Sequence, residues 1–87
     1  MSLNNDETKF FKPIQRTDTE VSVMLREVIA AMREKGHDPV VQLAGYLLSG
    51  DPTYITAHRE ARNLIRGFEK DRILESLIAN YVDSHRL

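Results

Sequence analysis

Six apolar residues near the C-terminus, Ile73, Leu74, Leu77, Ile78, Tyr81 and Val82, fall at i, i+1, i+4, i+5, i+8 and i+9. Only a helix gathers such positions on one side, because a strand alternates its side chains with a period of two. The same spacing of three and four recurs in Val21, Met24, Leu25, Val28, Ile29 and Met32, and again in Ala61, Leu64, Ile65 and Phe68. No segment alternates long enough for a strand, and neither an internal repeat nor a low-complexity tract interrupts the pattern. The chain is therefore expected to be all-α: four main helices plus a short turn.

Punctuation residues set the boundaries. Thr17-Asp18-Thr19-Glu20 reads as a capping box, the Thr17 hydroxyl accepting from the Glu20 amide while the Glu20 carboxylate reaches back. A first helix follows over about 18–35, closed by Arg33, Lys35 and Gly36. Asp38-Pro39 restarts the chain with an N-cap and a proline where no N–H is needed, predicting a helix over 39–49 that Gly50 ends. Val40, Val41, Leu43, Ala44, Leu47 and Leu48 make this second helix apolar around most of its circumference, as a central core helix or part of a dimer interface would be. Asp51-Pro52 repeats the device ahead of a short turn at Tyr54-Ile55-Thr56. A third helix is expected from Ala57 to Phe68, weakened at Gly67. Glu69 and Asp71 then favour a new helix start, and the last helix runs to about Asp83.

Residues 1–16 offer only Phe10, Phe11 and Ile14 as clustered anchors, and Pro13 disfavours a helix through them. They are read as a flexible arm preceding a single helical domain over 17–87. At 41% hydrophobic and 29% charged, the chain has the composition of a folded soluble protein. An 87-residue domain buries only about 60% of the surface of its unfolded chain, so pairing with a second copy is expected.

Composition also narrows the function. With no cysteine there is no disulfide framework and no thiolate metal site, which suits a cytoplasmic chain. The formal net charge of −1 disfavours a general polyanion binder, whose affinity comes from Lys and Arg neutralising phosphates. The longest mainly apolar stretch, Val40 to Leu48, is far below the roughly 20 residues that span a bilayer, and the N-terminus has no secretory pattern. No membrane insertion is expected.

Catalytic signals are sparse. His37, His58 and His85 form no paired-ligand motif, so no metal or cofactor is assigned. Gly45 and Gly50 bracket YLLS, but Asp51-Pro52 stand where a phosphate loop would need Lys and Ser or Thr; close packing at Gly45 and a C-cap at Gly50 explain them better. The chain is read as a non-enzyme. Arg59, Arg62 and Arg66, at i, i+3 and i+7 of the third helix, are expected to share a face able to bind phosphate. A solvated face neutralised by Glu60, Glu69 and Asp71 is the competing reading. Thr8 stands in the arm after Asp6 and Glu7 with no capping duty, and a phosphate there would add a charge of about −1.5 to −2.

The order of these features resembles the IreB family, small cytoplasmic proteins of Gram-positive bacteria. DETKF at 6–10, EKGHDPVVQLAGYLLSGDPTYIT at 34–56, and His58, Ala61, Arg62, Ile65 and Arg66, followed by Glu69, Asp71 and Tyr81, carry the resemblance. The run GYLLSGDPTYIT is its most specific part. The resemblance implies a helical homodimer without enzymatic activity, phosphorylated near its N-terminus by a membrane serine/threonine kinase that senses cell-wall material. Thr8 is the matching acceptor. It further implies control of peptidoglycan synthesis and cell-wall antibiotic tolerance through Clp-protease-dependent turnover of the enolpyruvyl transferase that begins the pathway, relieved by phosphorylation. The functional arginines of the family match Arg62 and Arg66. Relatives carry a basic residue where this chain has Ala57, and some carry a second threonine where it has Asn5.

The preferred reading is thus a regulatory protein switched at Thr8, with Arg59, Arg62 and Arg66 on its partner surface. The alternative is a helix-turn-helix-like nucleic-acid-binding module using the same arginines on phosphates. A small enzyme is the weakest reading, for want of a nucleophile–base pair or a metal arrangement.

Overall fold

The computed structural model describes residues 16–87. Thr8, Phe10, Phe11, Pro13 and Ile14, and with them all of the expected arm except Arg16, lie outside the described residues. Within them the chain is helical with no strand: α1 (Asp18–Glu34), α2 (Pro39–Ser49), α3 (Ala61–Arg66) and α4 (Lys70–Ser84), with 3-10 turns at Pro52–Tyr54 and His58–Glu60 between α2 and α3.

The ends of α1 follow directly from its sequence. The Glu20 amide donates to the Thr17 hydroxyl at 3.1 Å and the Thr17 amide donates to Glu20 Oε1 at 2.9 Å, the reciprocal box expected there. At the other end Gly36 takes φ 76°, which costs a glycine nothing. Its amide meets the Arg33 carbonyl and the His37 amide meets that of Met32, satisfying two orphan acceptors. Asp38 caps α2 by accepting from the amides of Val40 and Val41 at 3.0 and 3.4 Å. Asp51 repeats this on the Thr53 amide at 2.9 Å.

The core forms around α1. Val21, Met24, Val28, Ala31 and Met32 on one side of α1 are at most 1% exposed and meet Ile55, Ala61, Ile65 and Ile73. At roughly 1.5–3 kcal/mol for each large side chain buried, this stripe is the main source of stability. Ile55, read as part of a turn, is fully buried: the turn passes over the core instead of around it.

Two expectations are corrected. As a central core helix, α2 fails: it buries only Pro39 and Tyr46, while Val40, Val41 and Leu48 are 75%, 58% and 88% exposed. Its apolar circumference has one side on the core and the rest open. The third helix does not begin at Ala57. The Thr56 hydroxyl accepts from the His58 amide at 3.1 Å, and Arg59 and Glu60 adopt left-handed backbone at φ 55° and 61°. The α-helix starts only at Ala61, where the Arg62 amide donates to the Thr56 carbonyl at 3.0 Å. Gly67 ends it, as expected, and α4 begins after Glu69 with Asp71 in its first turn.

Candidate functional site

The sequence run GYLLSGDPTYIT and the arginines of α3 are brought together. Tyr54 lies against Gly45, where an added Cβ would overlap its ring, so the close packing expected at that glycine is a contact between α2 and the following 3-10 turn. Gln42 Nε2 donates to the Tyr54 carbonyl at 2.9 Å and fixes the same turn. The turn then delivers Ile55 to the core with its carbonyl facing α3, where Arg62 Nε donates to it at 2.8 Å. Ala61 and Ile65 point inward, so Arg62 and Arg66, each one position later, fall together on an adjacent face.

The electrostatics follow this placement. Asp51 is held below the ordinary carboxylate value chiefly by the Thr53 amide, then by the Thr53 hydroxyl, with the Arg62 charge adding to both. Burial pushes the Tyr46 phenol up, and the positive charge of Arg66 works against that rise. Arg66 is exposed, and among the described residues no side-chain hydrogen bond or ion pair engages it. Arg62 is half-buried and tied to backbone. The pair presents one anchored and one outward guanidinium, an arrangement suited to receiving a single anionic group.

Arg59 does not join them. The left-handed pair at positions 59 and 60 breaks the helical period, so the expected row of three arginines on one face does not form. Arg59 turns instead to α1, with Nη1 at 2.8 Å from Glu34 and Nη2 at 3.5 Å from Glu27. His58 Nε2 lies 2.6 Å from the other Glu34 oxygen. Hydrogen bonding to His58 and the charge of Arg59 together hold the Glu34 carboxyl below its usual range. The carboxylates expected to neutralise the row play no such part among the described residues, where Glu60 accepts from Asn63 Nδ2 at 2.7 Å. The neutralising partners come from α1, more than twenty positions away, which local charge spacing does not reveal.

The other histidine placed in contact is His85, stacked on Tyr81 with ring centroids 4.0 Å apart. Among the described residues no group of three or more His, Cys, Asp or Glu is placed to hold a metal ion. No helix among them is long and apolar enough to cross a membrane.

A second feature has no local signal in the sequence: the junction where the N-terminal segment meets the body. Arg72 of α4 donates through Nε to the Arg16 carbonyl at 2.7 Å and pairs through Nη2 with Asp18 at 2.6 Å. The Arg16 guanidinium lies 4.9 Å above the Phe68 ring and 3.5 Å from Glu20. Position 16 is thus gripped from three sides, and Thr8 precedes it by eight positions in the sequence.

Comparison with known proteins places this geometry in context. The family model described as IreB regulatory phosphoprotein matches residues 6–83, which include both Thr8 and the α3 arginines. A UPF0297 protein of Lachnoclostridium phytofermentans is 46% identical over 83 residues, covering 95% of this chain and 92% of the relative. A UPF0297 protein of Ruminiclostridium cellulolyticum is 41% identical over 80 residues, covering 92% and 91%. The family model and both relatives cover most of the chain, and the chain belongs to the IreB family of regulatory phosphoproteins.

Proposed function

We propose that this protein is a non-enzymatic cytoplasmic regulator, switched when a membrane serine/threonine kinase phosphorylates Thr8, and that it controls peptidoglycan synthesis and cell-wall antibiotic tolerance through Clp-dependent turnover of the enolpyruvyl transferase. The observation that carries this reading is the match to a phosphoprotein family across residues 6–83, a span that takes in the threonine-bearing segment as well as the helical body. Arg62 and Arg66 supply the partner surface, because their guanidinium groups share a face while Arg59 is committed to Glu34. The same commitment weighs against the nucleic-acid reading, which needs all three arginines on phosphates.

The working unit in this reading is a homodimer. Its support is apolar surface that the single chain leaves open: Val40, Val41 and Leu48 on α2, and Leu74, Ile78 and Tyr81 on α4, the latter 41%, 61% and 58% exposed. Patches of this kind mark association surfaces. A pull-down from cell extract with the unmodified and the Thr8-phosphorylated protein tests the switch. Expected is a set of captured proteins, including Clp components or the transferase, that changes with the phosphate and no longer responds in Thr8→Ala. Identical capture by both forms would contradict it.

A further inference from the structure

A groove of about 360 Å³ runs between α1 and α3, with Val23, Met24, Leu64 and Phe68 as its apolar lining and Glu20 and Glu27 on its rim. Val23 and Leu64 are 55% and 38% exposed, so apolar surface faces outward with nothing among the described residues over it. Leaving such a surface in water is unfavourable, and it calls for an apolar occupant.

Three observations select the occupant. The first is position: the Arg16 guanidinium lies over the Phe68 ring, so residue 16 itself sits at one end of the groove. The second is reach. Phe11 and Phe10 precede Arg16 by five and six residues, enough chain to extend up to roughly 17–20 Å. Glu20 and Glu27, by contrast, are two helical turns apart, about 10 Å along α1. The third is chemistry: the segment Lys9-Phe10-Phe11-Lys12 places two aromatic rings between two ammonium groups. That pattern is complementary to an apolar trough edged by carboxylates. Glu20 and Glu27 are 48% and 58% exposed; Glu20 already serves the Thr17 cap through Oε1 and lies 3.5 Å from Arg16 through Oε2, whereas Glu27 has only a loose 3.5 Å contact with Arg59 among the described residues, so Glu27 is the less committed rim carboxylate.

We propose that the Phe10-Phe11 segment of this same chain docks in the α1–α3 groove, with Lys9 and Lys12 against Glu20 and Glu27, and that a phosphate on Thr8 expels it. The second half rests on the Thr8 reading above. A phosphothreonine would bring a charge of about −1.5 to −2 beside Lys9, cancelling its attraction to the rim and adding repulsion from two carboxylates. Expulsion would uncover Leu64, which lies on the opposite flank of the inward Ala61 and Ile65 stripe from Arg62 and Arg66, so the modified chain would show a partner a second, apolar surface separate from its guanidinium face.

The experiment is methyl NMR on the full-length protein, read first without any kinase. The expected result is nuclear Overhauser contacts from the Phe10 and Phe11 rings to the Met24, Val23 and Leu64 methyls, unchanged on dilution. Phe10→Ala/Phe11→Ala should shift those methyls and leave Ile73 in place, and Glu27→Lys should weaken the contacts. Thr8→Glu, and the chain phosphorylated at Thr8, should move the groove methyls toward their positions in the double alanine variant. Groove methyls indifferent to the phenylalanine substitutions would overturn docking, as would contacts found only between differently labelled copies, which would assign the groove to a second molecule's arm. A docked arm indifferent to phosphate would overturn the expulsion. A kinase that fails to modify Thr8 defeats the functional reading alone, since docking is measured on the unmodified chain.

Discussion

Arg72 and Asp18, 54 positions apart in the chain, meet through Nη2 and Oδ1 at 2.6 Å, and the same guanidinium uses Nε to hold the Arg16 carbonyl at 2.7 Å. One side chain of α4 thereby fixes both the first turn of α1 and the residue from which the N-terminal segment departs. Arg72 is only 20% exposed, so its bonds are better shielded from water than most of the surface ion pairs.

Arg72→Ala should therefore destabilise the fold by about 1–2 kcal/mol, since hydrogen bonds to a charged group exceed the neutral average while the exposed Asp18 end returns little. Arg72→Lys should recover only part of this, because an ammonium lacks the fork that reaches two acceptors at once. Chemical denaturation measures both, and equal stability of wild type and Arg72→Ala would contradict this assignment.

Gly45→Ala sets two effects against each other. Alanine favours helix over glycine by about 1 kcal/mol, but its Cβ would overlap the Tyr54 ring. Overpacking costs typically about 1–3 kcal/mol, so net destabilisation is expected. Removing the ring as well should relieve it: Gly45→Ala/Tyr54→Ala should be more stable than the sum of the two single changes implies. A double-mutant cycle by thermal denaturation reads this coupling, and simple additivity would refute the close approach of ring and helix.

Much of the architecture is legible in the sequence, for identifiable reasons. Helices α1 and α2 start and stop where Thr17, Gly36, Asp38 and Gly50 put them, because caps act over three or four residues and can be read locally. The start of α3 is not legible. Arg59 and Glu60 take left-handed backbone without being glycine or asparagine, and the pull on Arg59 comes from Glu27 and Glu34 on another helix. The exposure of α2 is hidden for a related reason: an apolar circumference records that surface wants burial, not whether this chain or another covers it. At the arginine site, the proximity of Arg62 and Arg66 follows from their four-residue spacing, whereas the absence of Arg59 from the row follows from that distant pairing.

Backbone strain at position 60 yields a prediction whose sign is informative. A non-glycine residue in the left-handed region costs about 1–2 kcal/mol. Glu60→Gly should recover part of this and leave stability equal or slightly higher, even without the hydrogen bond from Asn63. Glu60→Ala keeps the strain and also removes that hydrogen bond, so it should be the less stable of the two. The reverse order of melting temperatures would show that Glu60 is not strained.

The Glu34 cluster makes stability depend on acid. Its carboxyl is held below the ordinary glutamate value of 4.5 in the folded protein, so folding favours the ionised form. The contribution is complete above 4.5 and is lost as pH falls through the lower, folded value. Glu34→Gln should therefore flatten the acid limb of the stability–pH curve and leave its shape unchanged above about pH 5. An unchanged acid limb would contradict the pairing with His58 and Arg59.

Phosphosite mapping after incubation with the membrane serine/threonine kinase and ATP tests the central claim most directly, with intact mass giving the number of phosphates and peptide fragmentation their position. The account predicts a single phosphate on Thr8, absent from a Thr8→Ala protein whose circular dichroism is unchanged. An unmodified Thr8 with phosphate carried by the helical body would contradict it.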